Sequence, residues 1–222
     1  MPRFESQAQL EQMGFIFAVN GSGSTSFPRG QMSLNVGQDL SGNYDSALFQ
    51  ESTKCWQPTS SSRVEAMYAI KFDSSSINSS LTESAFLWND PEFDIDPFAR
   101  TTSVGVVRTP LFGGYFAVIG QNVFIDEQGQ LQGFLYLAPM PESINPTQLH
   151  KIRVTVWENS AKVEVQQHGP WITVAETAVP EPFEPLLAEF GNDNELFPGF
   201  FAPVAEADAL QLTHLHIQTK RN

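Results

Sequence analysis

Residues 63–72 read Arg-Val-Glu-Ala-Met-Tyr-Ala-Ile-Lys-Phe, and their alternation decides the fold class. Successive side chains of a β-strand point to opposite faces. Val64, Ala66, Tyr68, Ile70 and Phe72 therefore share one face, and Arg63, Glu65, Met67 and Lys71 share the other. The first set suits a core and the second suits water, which is the pattern of a half-buried strand.

Working outward, the same period of two recurs over 84–90, 103–108, 115–120, 123–126 and 131–138. His150 to Trp157 and Ala161 to Gln167 flank a Glu158-Asn159-Ser160 turn and form the clearest hairpin. Trp171 to Ala175 and a closing stretch, Leu210 to Thr219, continue the pattern, with weaker strands expected near Phe15, Met32, Ala47 and Phe200. Helical periodicity is confined to Ser6 to Met13 and to a single turn at Pro185 to Phe190. Gly, Ser and Asn cluster at 20–30, 40–44, 57–62 and 73–80, which read as surface loops. With no internal repeat and no linker-like break, residues 1–222 are expected to form one all-β domain, an antiparallel jelly-roll sandwich.

The composition narrows the function. Eighteen Phe and a 41% hydrophobic fraction supply a sizeable core. A net charge of −13 repels phosphate backbones and anionic lipid, so neither nucleic acid nor a membrane surface is an expected partner. Cys55 is the sole cysteine, so no internal disulfide and no cysteine zinc site can form. Glu5 and Glu11 precede a short apolar run, Phe15 to Val19, which is unlike a secretory leader. The chain reads as soluble and cytoplasmic, and a secreted protein whose leader had been removed would read the same.

The chemistry concentrates at Glu92-Phe93-Asp94-Ile95-Asp96, bracketed by Pro91 and Pro97. Proline lacks the ladder N–H, so the pair marks the ends of a short strand. Glu92, Asp94 and Asp96 then share one face, where mutual repulsion raises the pKa of at least one carboxyl. General acids and cation sites need such an arrangement, and a solvated outer face shows it too. Trp88, Trp56 and Tyr115 are candidate platforms for the apolar face of a sugar. Trp157, inside the hairpin, is expected in the core. A bound Ca²⁺ would want six to eight oxygens, to which Asp193 and Glu195 could add, but no loop of the required spacing is present, and we assign neither metal nor other cofactor. His214 and His216 stand two apart on one strand face, and His150 and His168 stand at strand ends, where a surface role is commonest.

The order "RVEAMYAIKF" (63–72), "SAFLWND" (84–90) and "EFDID" (92–96) resembles the bacterial laminarinases and lichenases, retaining glycosidases of the concanavalin A-like lectin/glucanase superfamily. "LHKIRVTVWENSAKVEV" (149–165) is similar to a hairpin of those jelly rolls, and "LQLTHLHIQ" (210–218) to their closing strand. The resemblance implies a concave sheet that holds a carbohydrate or similar polar small molecule. It implies Glu92 as nucleophile, Asp94 as the group that tunes it and Asp96 as acid/base, with Trp88, Asp90, Glu65, Trp56 and Tyr115 around the ligand. The family carries E-x-D-x-E where this chain carries E-x-D-x-D. Glu92 and Asp96 have Cα atoms about 13 Å apart at roughly 3.3 Å per residue. Retention needs the carboxyls about 5–5.5 Å apart, so the shorter Asp96 widens the gap. The expectation is accordingly a carbohydrate-recognition protein, with a β-glucanase-like two-carboxylate hydrolase, or an unrelated enzyme on the same scaffold, as alternatives. The oligomeric state is not legible.

Overall fold

A computed structural model describes residues 4–51, 55–73, 82–88, 101–109, 113–126, 128–197, 200–201, 203–204 and 206–222. Ser6 caps the helix α1 (Gln7–Gln12), its hydroxyl accepting a hydrogen bond from the Gln9 amide. The strands β1 (Phe15–Asn20), β2 (Gly23–Ser26), β3 (Met32–Val36) and β4 (Ser46–Glu51) follow. Next come β5 (Ser62–Phe72), β6 (Thr82–Trp88), β7 (Thr101–Thr109), β8 (Gly114–Ile125) and β9 (Leu131–Pro139). The hairpin is β10 (His150–Trp157) with β11 (Ser160–Gln166), followed by β12 (Ile172–Ala178) and β13 (Leu187–Asp193). A short pair, β14 (Glu195–Phe197) and β15 (Phe200–Phe201), precedes the long closing strand β16 (Asp208–Arg221).

Fourteen of these strands build two seven-stranded antiparallel sheets. The first has the order β1-β4-β13-β6-β7-β8-β9, and the second β12-β11-β10-β5-β16-β3-β2. Their inner faces meet in one apolar layer. Val64, Ala66, Tyr68, Ile70 and Phe72 of β5 are all buried there, as the alternation requires. Ile152, Val154 and Val156 of β10 join them, facing Phe49, Val104, Val106, Ala117, Ile119 and Phe190 of the first sheet. The Tyr68 ring meets Phe190 edge-on at 5.3 Å, and Phe72 meets Tyr115 edge-on at 5.3 Å, so aromatic pairs pin the layers together. Each such side chain contributes roughly 1.5–3 kcal/mol on burial.

Four local readings are corrected. Pro185 to Phe190 is no helical turn: Leu187–Asp193 is a strand between β4 and β6, buried along its whole length. The stretches 115–120 and 123–126 are one strand, β8, whose register with β9 shifts between Gln121 and Phe124. Asn122 takes φ 52 there, and Gly133 opposite takes φ 88, where a Cβ would lie 2.2 Å from the Asn122 carbonyl oxygen. Trp157 shares the parity of Lys151, Arg153 and Thr155, so it lies half-buried on the outer face of the second sheet with Lys162 over its ring. Finally, β16 bulges against β5 between Thr213 and His216, with His214 at φ 60. The bulge interrupts the alternation that placed His214 and His216 on one face, and both are exposed.

Candidate functional site

The outer face of the first sheet is where polar groups are buried away from the core. In β13, Ala188 and Phe190 turn inward, so Leu187, Glu189, Gly191 and Asp193 turn outward. In β4, Ala47 and Phe49 turn inward, so Ser46, Leu48 and Gln50 turn outward. Glu189 pairs in register with Gln50 on one side and Phe86 on the other. Glu189, Gln50 and Asp193 are all less than 9% exposed despite facing away from the core. Asn20 donates to the Ser46 hydroxyl at 3.1 Å, which continues the polar strip to the β1 edge.

Toward β9 the same face turns apolar. Val107 and Val118 are buried there, packed against Phe116, Leu135 and Leu137 in a cluster separate from the inter-sheet core. A carboxylate accepts only, a carboxamide both donates and accepts, and an apolar wall lies alongside. That donor set suits a polyhydroxylated ligand with an apolar C–H face.

β6 lies between these two halves. Trp88 ends it, in register with Leu187, two residues along β13 from Glu189. Diagonal cross-strand neighbours of this kind have Cα atoms roughly 7–8 Å apart. The structure describes the backbone of Trp88, and Asp90, Glu92, Asp94 and Asp96 lie outside the described residues. β6 and β7 are antiparallel neighbours, so Trp88, the last residue of β6, and Thr101, the first of β7, lie at one end of the first sheet.

The other expected ligand residues are elsewhere. Glu65 belongs to β5, in the second sheet, and faces outward between Arg63 and Lys220, with which it forms ion pairs. Burial raises its pKa, but the hydrogen bonds from Lys220 and Arg63 outweigh this and hold the carboxyl below its ordinary value. It is a member of a charged lattice on the opposite side of the sandwich from β6, because residue 65 has the parity opposite to the core-facing Val64 and Ala66.

Tyr115 lies between the sheets. Its hydroxyl hydrogen-bonds His150 Nε2 at 2.8 Å, and its ring meets Phe72 edge-on at 5.3 Å. Burial pushes the phenol well above its ordinary pKa, against the smaller pull of Arg108. His150 is thereby a buried residue, not a surface one, with Nδ1 at 2.9 Å from the Gln148 carbonyl oxygen. Trp56 donates its indole N–H to Glu51 at 2.7 Å and bridges Leu186 through the backbone, at the margin of the core. Among the described residues no group of three or more His, Cys, Asp or Glu is placed to hold a metal ion. Asp193 is buried in β13, and the side chain of Glu195 lies outside the described set.

Sequence reasoning missed Glu189 and Gln50, because their strands are covered on both faces and carry no clean alternation. The available signal was the charge of Glu189 set between two apolar residues, Ala188 and Phe190.

No protein-family model and no curated protein matches the chain. Solved structures do. An endo-1,3-beta-glucanase from Streptomyces sioyaensis superposes with a TM-score of 0.66 at 10% identity, covering 94% of this chain and 90% of its own. A legume lectin-like domain from Entamoeba histolytica gives 0.62 at 10% identity, covering 98% and 95%. A Bacteroides ovatus mixed-linkage glucan GH16 protein, solved in complex with a product, gives 0.63 at 10%, covering 92% and 94%. These likenesses show the fold, an antiparallel jelly-roll β-sandwich of the lectin/glucanase type, as the strand pattern implied.

Proposed function

We propose that the protein recognises a glycan on the outer face of its first sheet. The observation that carries this reading is the strip of buried polar groups, Glu189, Gln50 and Asp193, beside an apolar patch on the sheet that holds β6. Lectin-like and glucanase folds among the structural neighbours support the same ligand class. In this reading Trp88 is the stacking platform, and Asp90, Asp94 and Asp96 accept hydrogen bonds from sugar hydroxyls. The charge of −13 favours a neutral glycan over an acidic one.

A second reading, hydrolysis, is favoured by the Glu92-x-Asp94-x-Asp96 spacing together with the glucanase neighbours. Glu92 would attack the anomeric carbon, Asp94 would tune it and Asp96 would protonate the leaving oxygen.

One set of variants, assayed on 1,3-β-glucan and mixed-linkage glucan for both retention and reducing-end release, tests the two. Under recognition, wild type is retained without turnover and Trp88→Ala weakens retention by about 1 kcal/mol through lost stacking. Under hydrolysis, Glu92→Gln abolishes release, and Asp96→Glu, which restores the longer side chain of the family motif, raises it. Wild type that neither retains nor cleaves any glucan overturns both.

A further inference from the structure

The geometry points to a second sugar-binding pocket, at the lateral seam of the sandwich and off the first-sheet face. β9 is the edge strand of the first sheet and β12 the edge strand of the second. Where the loop after β12 crosses the β8–β9 bulge, a cavity of about 380 Å³ opens between Gln121, Asn122, Phe124, Phe134, Pro180 and Glu181. That volume lies within the range of small-ligand sites.

The pocket is built rather than incidental. Gln121 is 5% exposed, and its amide spends itself on the loop. Nε2 donates to the Glu181 carbonyl at 2.7 Å and to the Pro182 carbonyl at 3.4 Å, and Oε1 accepts from the Glu181 amide at 3.1 Å. The loop is thus fixed to β8 at the residue whose carboxylate lines the cavity. On the floor, Asn122 holds a left-handed backbone that is costly for a non-glycine residue. Only a glycine at 133 can sit against its carbonyl. Bulges of this kind re-aim side chains beside binding sites. Here the Asn122 carboxamide reaches the Glu181 carboxylate at 3.4 Å.

The chemistry selects the ligand class. Two phenyl rings supply apolar walls for the C–H face of a pyranose. Glu181 offers only acceptors, and Asn122 offers both donor and acceptor, which together fit a pair of ring hydroxyls. The Glu181 carboxylate disfavours an acidic sugar, so the ligand is a neutral one. This inference rests on the glycan reading above, and assigns to the same substrate class a second, smaller subsite that would hold a chain already engaged on the first sheet.

The test uses a 1,3-β-gluco-hexasaccharide and protein with ¹³C-labelled phenylalanine. In Trp88→Ala protein, the hexasaccharide should still shift the Phe124 and Phe134 ring resonances. The pair Glu181→Ala/Asn122→Gly, which removes an exposed carboxylate and relieves the left-handed backbone, should weaken that residual binding by about tenfold, with the thermal midpoint unchanged. Wild type that binds the hexasaccharide while neither ring responds overturns the pocket and leaves the first-sheet reading standing. Shifts of both rings that survive the pair unchanged also overturn it. No binding by wild type overturns the pocket together with the glycan reading, and binding in which the rings shift but Trp88→Ala has no effect supports the pocket alone.

Discussion

Two arginines in this molecule make the same two kinds of contact, to a carboxylate and to an aromatic ring, in opposite surroundings. Arg153, on the outer face of the second sheet, forms a two-pronged pair with Glu164 across the β10–β11 hairpin, at 2.7 and 2.8 Å. The Trp171 ring lies 4.4 Å from its guanidinium. Arg108, between the sheets, meets Asp208 of the facing sheet at 3.3 Å, and the Phe72 ring lies 4.8 Å away. The side chain of Arg153 is 33% exposed, and that of Arg108 only 2%. Their pKa values move in opposite directions. The Glu164 hydrogen bonds raise that of Arg153, whereas burial lowers that of Arg108 against the pull of Asp208. The better geometry is therefore at the surface, and the higher stake is in the interior. Water reaches the guanidinium of Arg153 even though Glu164 is largely covered, whereas both partners of the Arg108–Asp208 pair are closed off from it.

The largest expected effect follows. Asp208→Ala leaves the Arg108 charge between the sheets without this carboxylate, and such a loss costs about 3–5 kcal/mol. The Asp208 carboxylate also accepts from the Ala209 amide at 2.9 Å, a contact the substitution removes as well. Replacing both charges, as Arg108→Met/Asp208→Leu, should recover most of the loss, because apolar isosteres of buried pairs are often neutral or better. Urea unfolding of wild type, the single and the double variant checks this. A loss below about 1 kcal/mol for Asp208→Ala breaks the comparison, since it would make the interior pair no more consequential than a surface one.

The same interior holds the second prediction. Burial lowers the pKa of His150 from 6.5 to about 4, against a smaller opposing effect of the Gln148 carbonyl. The unfolded chain binds this proton more readily than the folded one, so the associated stability is complete above pH 6.5. It falls as pH drops toward 4, by on the order of 3 kcal/mol in total. The paired carboxylates Glu65 and Glu164, whose folded values are lowered, lose their stabilisation only as pH falls below about 4.5, so they add nothing to the decline between 6.5 and 4.5. Urea midpoints measured across it should decline in wild type and hold level in His150→Gln, whatever the absolute stability of the variant. A level wild-type profile would show that the Tyr115–His150 contact opens to water.

How much of this was legible in the sequence differs by residue. The inner set of β5 and the hairpin of β10 and β11 were readable because one face of each is wet and the other dry. β13 was not, since a strand covered on both faces has no alternation to betray it, and its Pro185 neighbour suggested a turn. Tyr115 and His150 looked like surface or cleft residues because each owes its burial to the opposite sheet, 35 residues away in sequence. Glu65 shared a motif with the "SAFLWND" stretch, but β5 lies in the second sheet and β6 in the first, and the crossover between them leaves no local trace. The acidic segment itself, Glu92 to Asp96, carried the functional expectation on spacing alone, and it rests on the glucan assays.

The smallest expected effect returns to the surface. Glu164 sits between Arg153 and Lys162, the latter at 3.5 Å with its side chain 24% exposed. Glu164→Gln removes one carboxylate from beside two cations, and hydrogen bonding from Arg153 is the main reason its pKa lies below the ordinary value. An amide can still accept from Arg153, so we expect a loss of about 1 kcal/mol at low salt. Raising the ionic strength to 1 M contracts the screening length to about 3 Å and should shrink that loss to a few tenths. Lys162→Ala removes only the longer contact and the ring contact with Trp157, and should cost about 0.5 kcal/mol or less. The discriminating quantity is the salt dependence, measured on Glu164→Gln beside Asp208→Ala. The surface loss should fade with salt, while the interior one persists because counterions do not reach between the sheets. Equal fading at both would mean that Arg108 is hydrated, and the contrast between the two arginines would fail at its foundation.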